Sequence, residues 1–138
     1  MWRKSPENFQ DALEIRVKVF VEEQGFHDEF DKIDDSCEHL ILYMEDQAAG
    51  CARLYEEETG WHLGRVAVLP EYRGKGLGAE IVREAERKAI ELGAAKLGLS
   101  AQMRAQKFYE KLGYCVVTEP YLDEYCPHVG MEKVLNHE

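Results

Sequence analysis

Six consecutive residues, Arg73-Gly74-Lys75-Gly76-Leu77-Gly78, have the types and spacing needed to hold a phosphate group. They follow the apolar run Val66-Ala67-Val68-Leu69 and open an amphipathic segment over residues 77–92. Between a strand and a helix, glycines let backbone N–H groups converge without Cβ clashes, and the helix N-terminus behind them carries a partial positive charge. Arg73 and Lys75 add two cations, so the stretch reads as a cradle suited to a pyrophosphate.

Spacing narrows the phosphate ligand. A nucleotide P-loop needs a glycine at position 69 and a hydroxyl after Lys75, but the chain has Leu69 and Gly76 there. The dinucleotide fingerprint is met formally by Gly74-x-Gly76-x-x-Ala79, yet no acid for a ribose follows in Leu97-Gly98-Leu99-Ser100. A dehydrogenase is therefore a distant reading, one that tight NAD binding would favour. The third pattern, Arg-x-x-Gly-x-Gly at Arg73, Gly76 and Gly78, is similar to the pyrophosphate motif of the GNAT N-acetyltransferases.

The elements that must position this turn follow from periodicity. Ser5-Pro6-Glu7 is a helix-opening signal, and Phe9, Leu13, Val17 and Phe20 recur at helical spacing, so a first helix is expected to about Val19. Residues 22–35 turn acidic and irregular, which reads either as a solvated face or as a negative rim that attracts an ammonium group. Strands are expected over residues 39–44, 48–55 and 61–69, forming a meander. Leu77, Ile81, Ala85, Ala89 and Leu92 then share one helix face up to Gly93. A buried strand over 96–100, a short helix over 104–112 and strands over 114–118 and 129–135 complete a single α+β domain spanning residues 1–138.

Composition sets the outer limits. The chain of 138 residues is 45% hydrophobic, and no apolar run approaches the roughly 20 residues of a membrane span. No targeting segment is visible at the start, so a cytoplasmic protein without membrane partners is expected. Cys37, Cys51, Cys115 and Cys126 are too dispersed for a metal cage, so no metal is expected. A net charge of −10 disfavours nucleic acid as a partner.

The order of elements resembles the GNAT acetyltransferase core over nearly the whole chain. Ala101-Gln102 with residues 105–114 (Ala-Gln-Lys-Phe-Tyr-Glu-Lys-Leu-Gly-Tyr) looks like that family's second block. Val19-Phe20-Val21-Glu22-Glu23-Gln24, Glu38-His39, Ala52-Arg53-Leu54 and Pro127-His128 look like its small ElaA-like bacterial subgroup. The resemblance implies a mixed central sheet flanked by helices, with a splayed strand pair holding acyl-coenzyme A between residues 65–69 and 96–100. It implies acetyl-CoA as co-substrate and an amine acceptor, either a small molecule or a protein amine. A homodimer through the exposed late strands also fits the resemblance.

Amine attack on a thioester needs an oxyanion donor, a proton acceptor for the ammonium and a proton donor for the leaving thiolate. By the resemblance, the main chain of Val66, Ala67 and Val68 pairs with the pantetheine arm. Arg73, Gly74, Lys75, Gly76, Leu77 and Gly78 hold the phosphates, joined by Gln102, Ala105 and Phe108. Tyr109 is the expected acid, because a phenol titrating near 10 is neutral at pH 7 and can donate. The base is sought among Glu23, Glu38, His39 and His128, with His39 and Glu23 assigned to catalysis. Gln24, Arg53 and His128 are assigned to the acceptor pocket, and the subgroup pattern departs at Tyr125-Cys126, before Pro127-His128. A second function class, a non-catalytic acyl-CoA sensor, would keep the cradle without needing Tyr109.

Overall fold

The computed structural model describes residues 2–4, 9–26, 37–45 and 47–135. The Ser5-Pro6 capping signal and residues 27–35 of the acidic stretch lie outside them. In chain order the strands are β1 (Trp2–Lys4), β2 (Glu38–Met44), β3 (Gln47–Glu57), β4 (Gly60–Val68), β5 (Lys96–Gln102), β6 (Cys115–Val116), β7 (Tyr121–Asp123) and β8 (Cys126–Val134). Helix α1 (Phe9–Arg16) precedes β2, α2 (Leu77–Glu91) links β4 to β5, and α3 (Gln106–Lys111) precedes β6. The sheet runs β1-β2-β3-β4-β5-β8-β6, with β7 also pairing β8. This is the expected single α+β domain with a mixed sheet, and β4 with β5 is the parallel pair.

Strand alternation divides the core between the two faces of the sheet. Leu40, Ala52, Leu54 and Leu63 pack with Ile81, Val82, Ala85 and Ala89 of α2. On the other face Ile41, Cys51 and Ala67 meet Ile15, Val19 and Phe20. The first helix extends beyond the expected end near Val19, because α1 passes into π-helical turns over Val17–Glu23. There the Gln24 N–H donates to the Val19 carbonyl, five residues back, at 3.1 Å. The wider turn lets Val19 and Phe20 both stay buried while carrying Glu23 and Gln24 to an opening between β4 and β5.

That opening is built into β4. Its parallel pairing with β5 covers Trp61 with Leu97, His62 with Gly98 and Leu63 with Leu99, and then stops. Immediately afterwards the β3–β4 register shifts between Cys51 and Arg53, and Arg65 takes φ of 52°. An extra residue on one strand increases the local bend and twist, which turns the end of β4 away from β5. Meanwhile β5 keeps its antiparallel partner β8 along Lys96–Gln102, so a wedge opens between the two strands. The final part of the chain also differs from expectation: β8 begins at Cys126 instead of residue 129, and the link before it contains β7.

Candidate active site

The wedge is a cleft of about 500 Å³, walled by residues 66–68 of β4 and 99–102 of β5. The π-helical segment covers it, and Ala105 and Tyr109 line it from the α3 side. In β4 the peptide polarity is set by the Leu69 N–H, which donates to the Ala49 carbonyl of β3 at 2.9 Å. Alternation then turns the N–H and C=O of Val68, and of Val66 before it, away from β3 and toward the wedge. These backbone groups can pair with an extended, amide-bearing ligand.

The glycine turn follows the short 3₁₀ turn Pro70–Tyr72 and leads into α2. Gly76 is the residue before the helix, with φ of 78°, and a Cβ there would have no heavy atom within 4 Å. A left-handed residue facing open space, ahead of the free N–H groups of a 15-residue helix, is what a phosphate cradle requires. Gly78 has a different constraint, since its Cβ would come 3.3 Å from the Phe108 ring. The cradle's residues 74–78 and Phe108 therefore flank the cleft instead of lining it, and Phe108 packs under the start of α2. Lys75 places its ammonium 5.8 Å from the Tyr72 ring centre.

Arg73 joins cradle and cleft. Its Nε donates to the Val68 carbonyl at 2.9 Å, and its two terminal nitrogens donate to the two carboxylate oxygens of Glu23, each at 2.8 Å. The bidentate hydrogen bonds from Arg73 hold the Glu23 carboxyl below the usual carboxylate range, which makes it a weak proton acceptor.

The acid and base candidates separate clearly. Tyr109 is 9% exposed, lines the cleft, and burial pushes its hydroxyl up to about 12. Its ring meets Phe108 and Tyr114 edge to face, at 5.0 and 5.9 Å. His39 does not line the cleft: it is 1% exposed on β2, with Nε2 3.4 Å from the Cys37 sulfur. Glu38, beside it on β2, is likewise outside the cleft. His128 does line the cleft, with Nδ1 2.9 Å from the Cys126 carbonyl. Arg53 is buried in the wall with its guanidinium over the Tyr55 ring. Gln102 donates to Gln24 at 2.7 Å and accepts from Arg104 at the same distance, tying β5 to the π-helical segment.

Arg104, Phe26, Asp123 and Glu124 also line the cleft, although the sequence reading assigned them no role. The only local signal for the last two was their place just before Tyr125-Cys126-Pro127-His128. Among the described residues no group of histidines, cysteines and carboxylates is arranged to hold a metal ion.

A family model described as the acetyltransferase (GNAT) domain matches residues 6–135. YjcF of Bacillus subtilis, named as an uncharacterized N-acetyltransferase, is 35% identical over 133 residues, covering 94% of this chain and 95% of that protein. A crystal structure of an acyl-CoA N-acyltransferase from Pseudomonas aeruginosa aligns with a TM-score of 0.86 at 29% identity, over 97% of this chain and 98% of that one. Escherichia coli ElaA aligns with a TM-score of 0.86 at 25% identity, over 96% and 98% of the two chains. An open wedge beside a glycine turn thus comes with relatives that each match 94% or more of the chain, and the chain belongs to the acetyltransferase (GNAT) family as an ElaA-like acyltransferase.

Proposed function

We propose that this acyltransferase moves an acetyl group from acetyl-CoA to a primary amine by direct attack, with Tyr109 as the general acid. The observation carrying this reading is the wedge itself, where β4 and Tyr109 line one cleft together with Arg73 of the turn that leads into α2. The Leu77 and Gly78 N–H groups, with Lys75, would take the pyrophosphate, and the Val66 and Val68 backbone would pair with the pantetheine amides. One backbone N–H of that strand end would polarise the thioester carbonyl, acting on charge that develops only in the transition state.

Tyr109 suits the remaining task. A hydroxyl raised to about 12 is neutral at every physiological pH, so its proton is present when the thiolate departs. The acceptor is proposed to be a small amine or an amine on a protein. Mixed lining charge, with Arg53 and Arg104 alongside Asp123 and Glu124, favours an acceptor that carries polar groups besides its amine.

The test is coenzyme A release from acetyl-CoA, followed with a thiol reagent against a pool of polyamines, amino acids, amino sugars and lysine peptides. A no-amine blank is needed because the chain has four cysteines of its own. Amine-dependent release with N-acetylated product is expected. Release that is independent of every amine in the pool, or absent despite acetyl-CoA binding, would overturn the proposal.

A further inference from the structure

We infer that His128 is the base that takes the proton from the acceptor ammonium, an inference that rests on the amine-transfer reading above. A backbone carbonyl can only accept a hydrogen bond, so the 2.9 Å contact with the Cys126 oxygen places the hydrogen on Nδ1 of His128. The neutral ring then presents a lone pair at Nε2, and among the described residues no hydrogen-bond donor reaches that nitrogen. This is the tautomer a base requires, set by the strand's own backbone.

The ring is also held in place. His128 is 5% exposed and lines the cleft, on β8 across from Gln102 of β5. The Tyr121 ring stacks on it at 6.1 Å, and Phe26 meets it edge-on at 6.4 Å. Tyr121 is itself hydrogen-bonded through its hydroxyl to Ser100 of the cleft wall. The other base candidates are elsewhere occupied or elsewhere placed: Glu23 is clamped by Arg73, and His39 and Glu38 lie outside the cleft.

Nε2 of His128 takes one proton from the ammonium, leaving a neutral amine whose nitrogen pair attacks the thioester carbon. As the C–N bond forms and the C–S bond breaks, the sulfur takes the Tyr109 proton. The amide nitrogen's surplus proton refills Tyr109, and the imidazolium returns its proton to water. One ammonium and one thioester become one amide, one thiol and one released proton.

The experiment compares wild type with His128→Asn, whose amide N–H can keep the bond to the Cys126 carbonyl but offers no basic nitrogen. Coenzyme A release is measured with the alkylamine pool described above and with hydroxylamine, which is largely uncharged at neutral pH. Acetyl-CoA binding and thermal melting serve as folding controls. Loss of a general base predicts a fall of about 10²-fold or more in kcat/KM with alkylamines and a much smaller fall with hydroxylamine. In a second variant, His128→Ala, added imidazole is expected to restore alkylamine turnover. Equal falls with both kinds of acceptor, a fall of only a few fold, or no imidazole rescue would each overturn the assignment. Absence of amine-dependent release in the wild type would overturn the amine-transfer reading itself, and the base with it.

Discussion

Replacing Tyr109 by phenylalanine removes one oxygen from a ring that burial already holds at 9% exposure. Its hydroxyl is pushed up to about 12, whereas an ordinary thiol titrates near 8.5, a gap of about 3.5 units or roughly 5 kcal/mol. Full donation to a free thiolate, with nothing replacing the proton, would therefore be strongly uphill. Tyr109 is useful only if its proton moves as the C–S bond breaks and the ammonium of the adduct refills it. Such coupled transfer places the expected loss in kcat on Tyr109→Phe at about 10²- to 10³-fold, inside the usual range for one positioned acid. Binding should be spared, because the cradle and the β4 backbone do not depend on this hydroxyl. Stability should change by less than about 1 kcal/mol, since the hydroxyl has no hydrogen-bond partner among the described residues. Steady-state kinetics with thermal melting checks all three parts. Unchanged kcat, or a loss confined to KM for acetyl-CoA, would refute the reasoning.

Other perturbations test neighbouring claims. Gly76→Val forces a branched side chain into φ of 78°, costing about 1–2 kcal/mol or a few degrees in Tm, while its Cβ fills the open space of the cradle; calorimetry should find acetyl-CoA affinity down at least tenfold, and retained affinity would put the phosphates elsewhere. Glu23→Gln breaks an exposed ion pair worth at most about 1 kcal/mol and frees Arg73 for the phosphates, so KM for acetyl-CoA should fall or hold with kcat within a few fold; a 10²-fold drop in kcat at constant KM would instead make Glu23 the base. The Tyr109 hydroxyl is raised in the folded state, so its contribution to stability is intact below pH 10 and is lost as pH climbs through about 12, at most about 3 kcal/mol across two units. Urea midpoints at pH 9 and 11 should therefore decline less for Tyr109→Phe than for wild type, and parallel declines would sink that account.

Local features of the fold were legible because their causes are local. The glycine turn, the Leu77, Ile81, Ala85, Ala89 stripe and the three-strand meander each depend on short spacings, and each stands close to where periodicity put it. The π-helical turns were not legible, since Val17, Val19 and Val21 suit a strand or a helix end and only packing on Ile41 and Ala67 decides between them. Nor was the bulge, because nothing marks an arginine at position 65 for a left-handed φ. The Arg73–Glu23 clamp joins residues 50 positions apart, a separation no local pattern reports.

The two histidines show most sharply what topology adds to sequence. Both sit in strands, and both are almost fully buried. What separates them is a count of strands from the wedge. The sheet order puts β2, with His39, two strands away from the β4 wall, about 10 Å at the usual spacing of about 4.8 Å, beyond the reach of an imidazole. It puts β8, with His128, directly against the β5 wall, so a side chain one strand away reaches the cleft. In sequence β8 is the last strand, and only its insertion between β5 and β6 brings His128 to the cleft. A reading by motif assigns His39 to catalysis and His128 to the acceptor pocket, whereas the crossing of the final strand brings His128, and not His39, to the cleft.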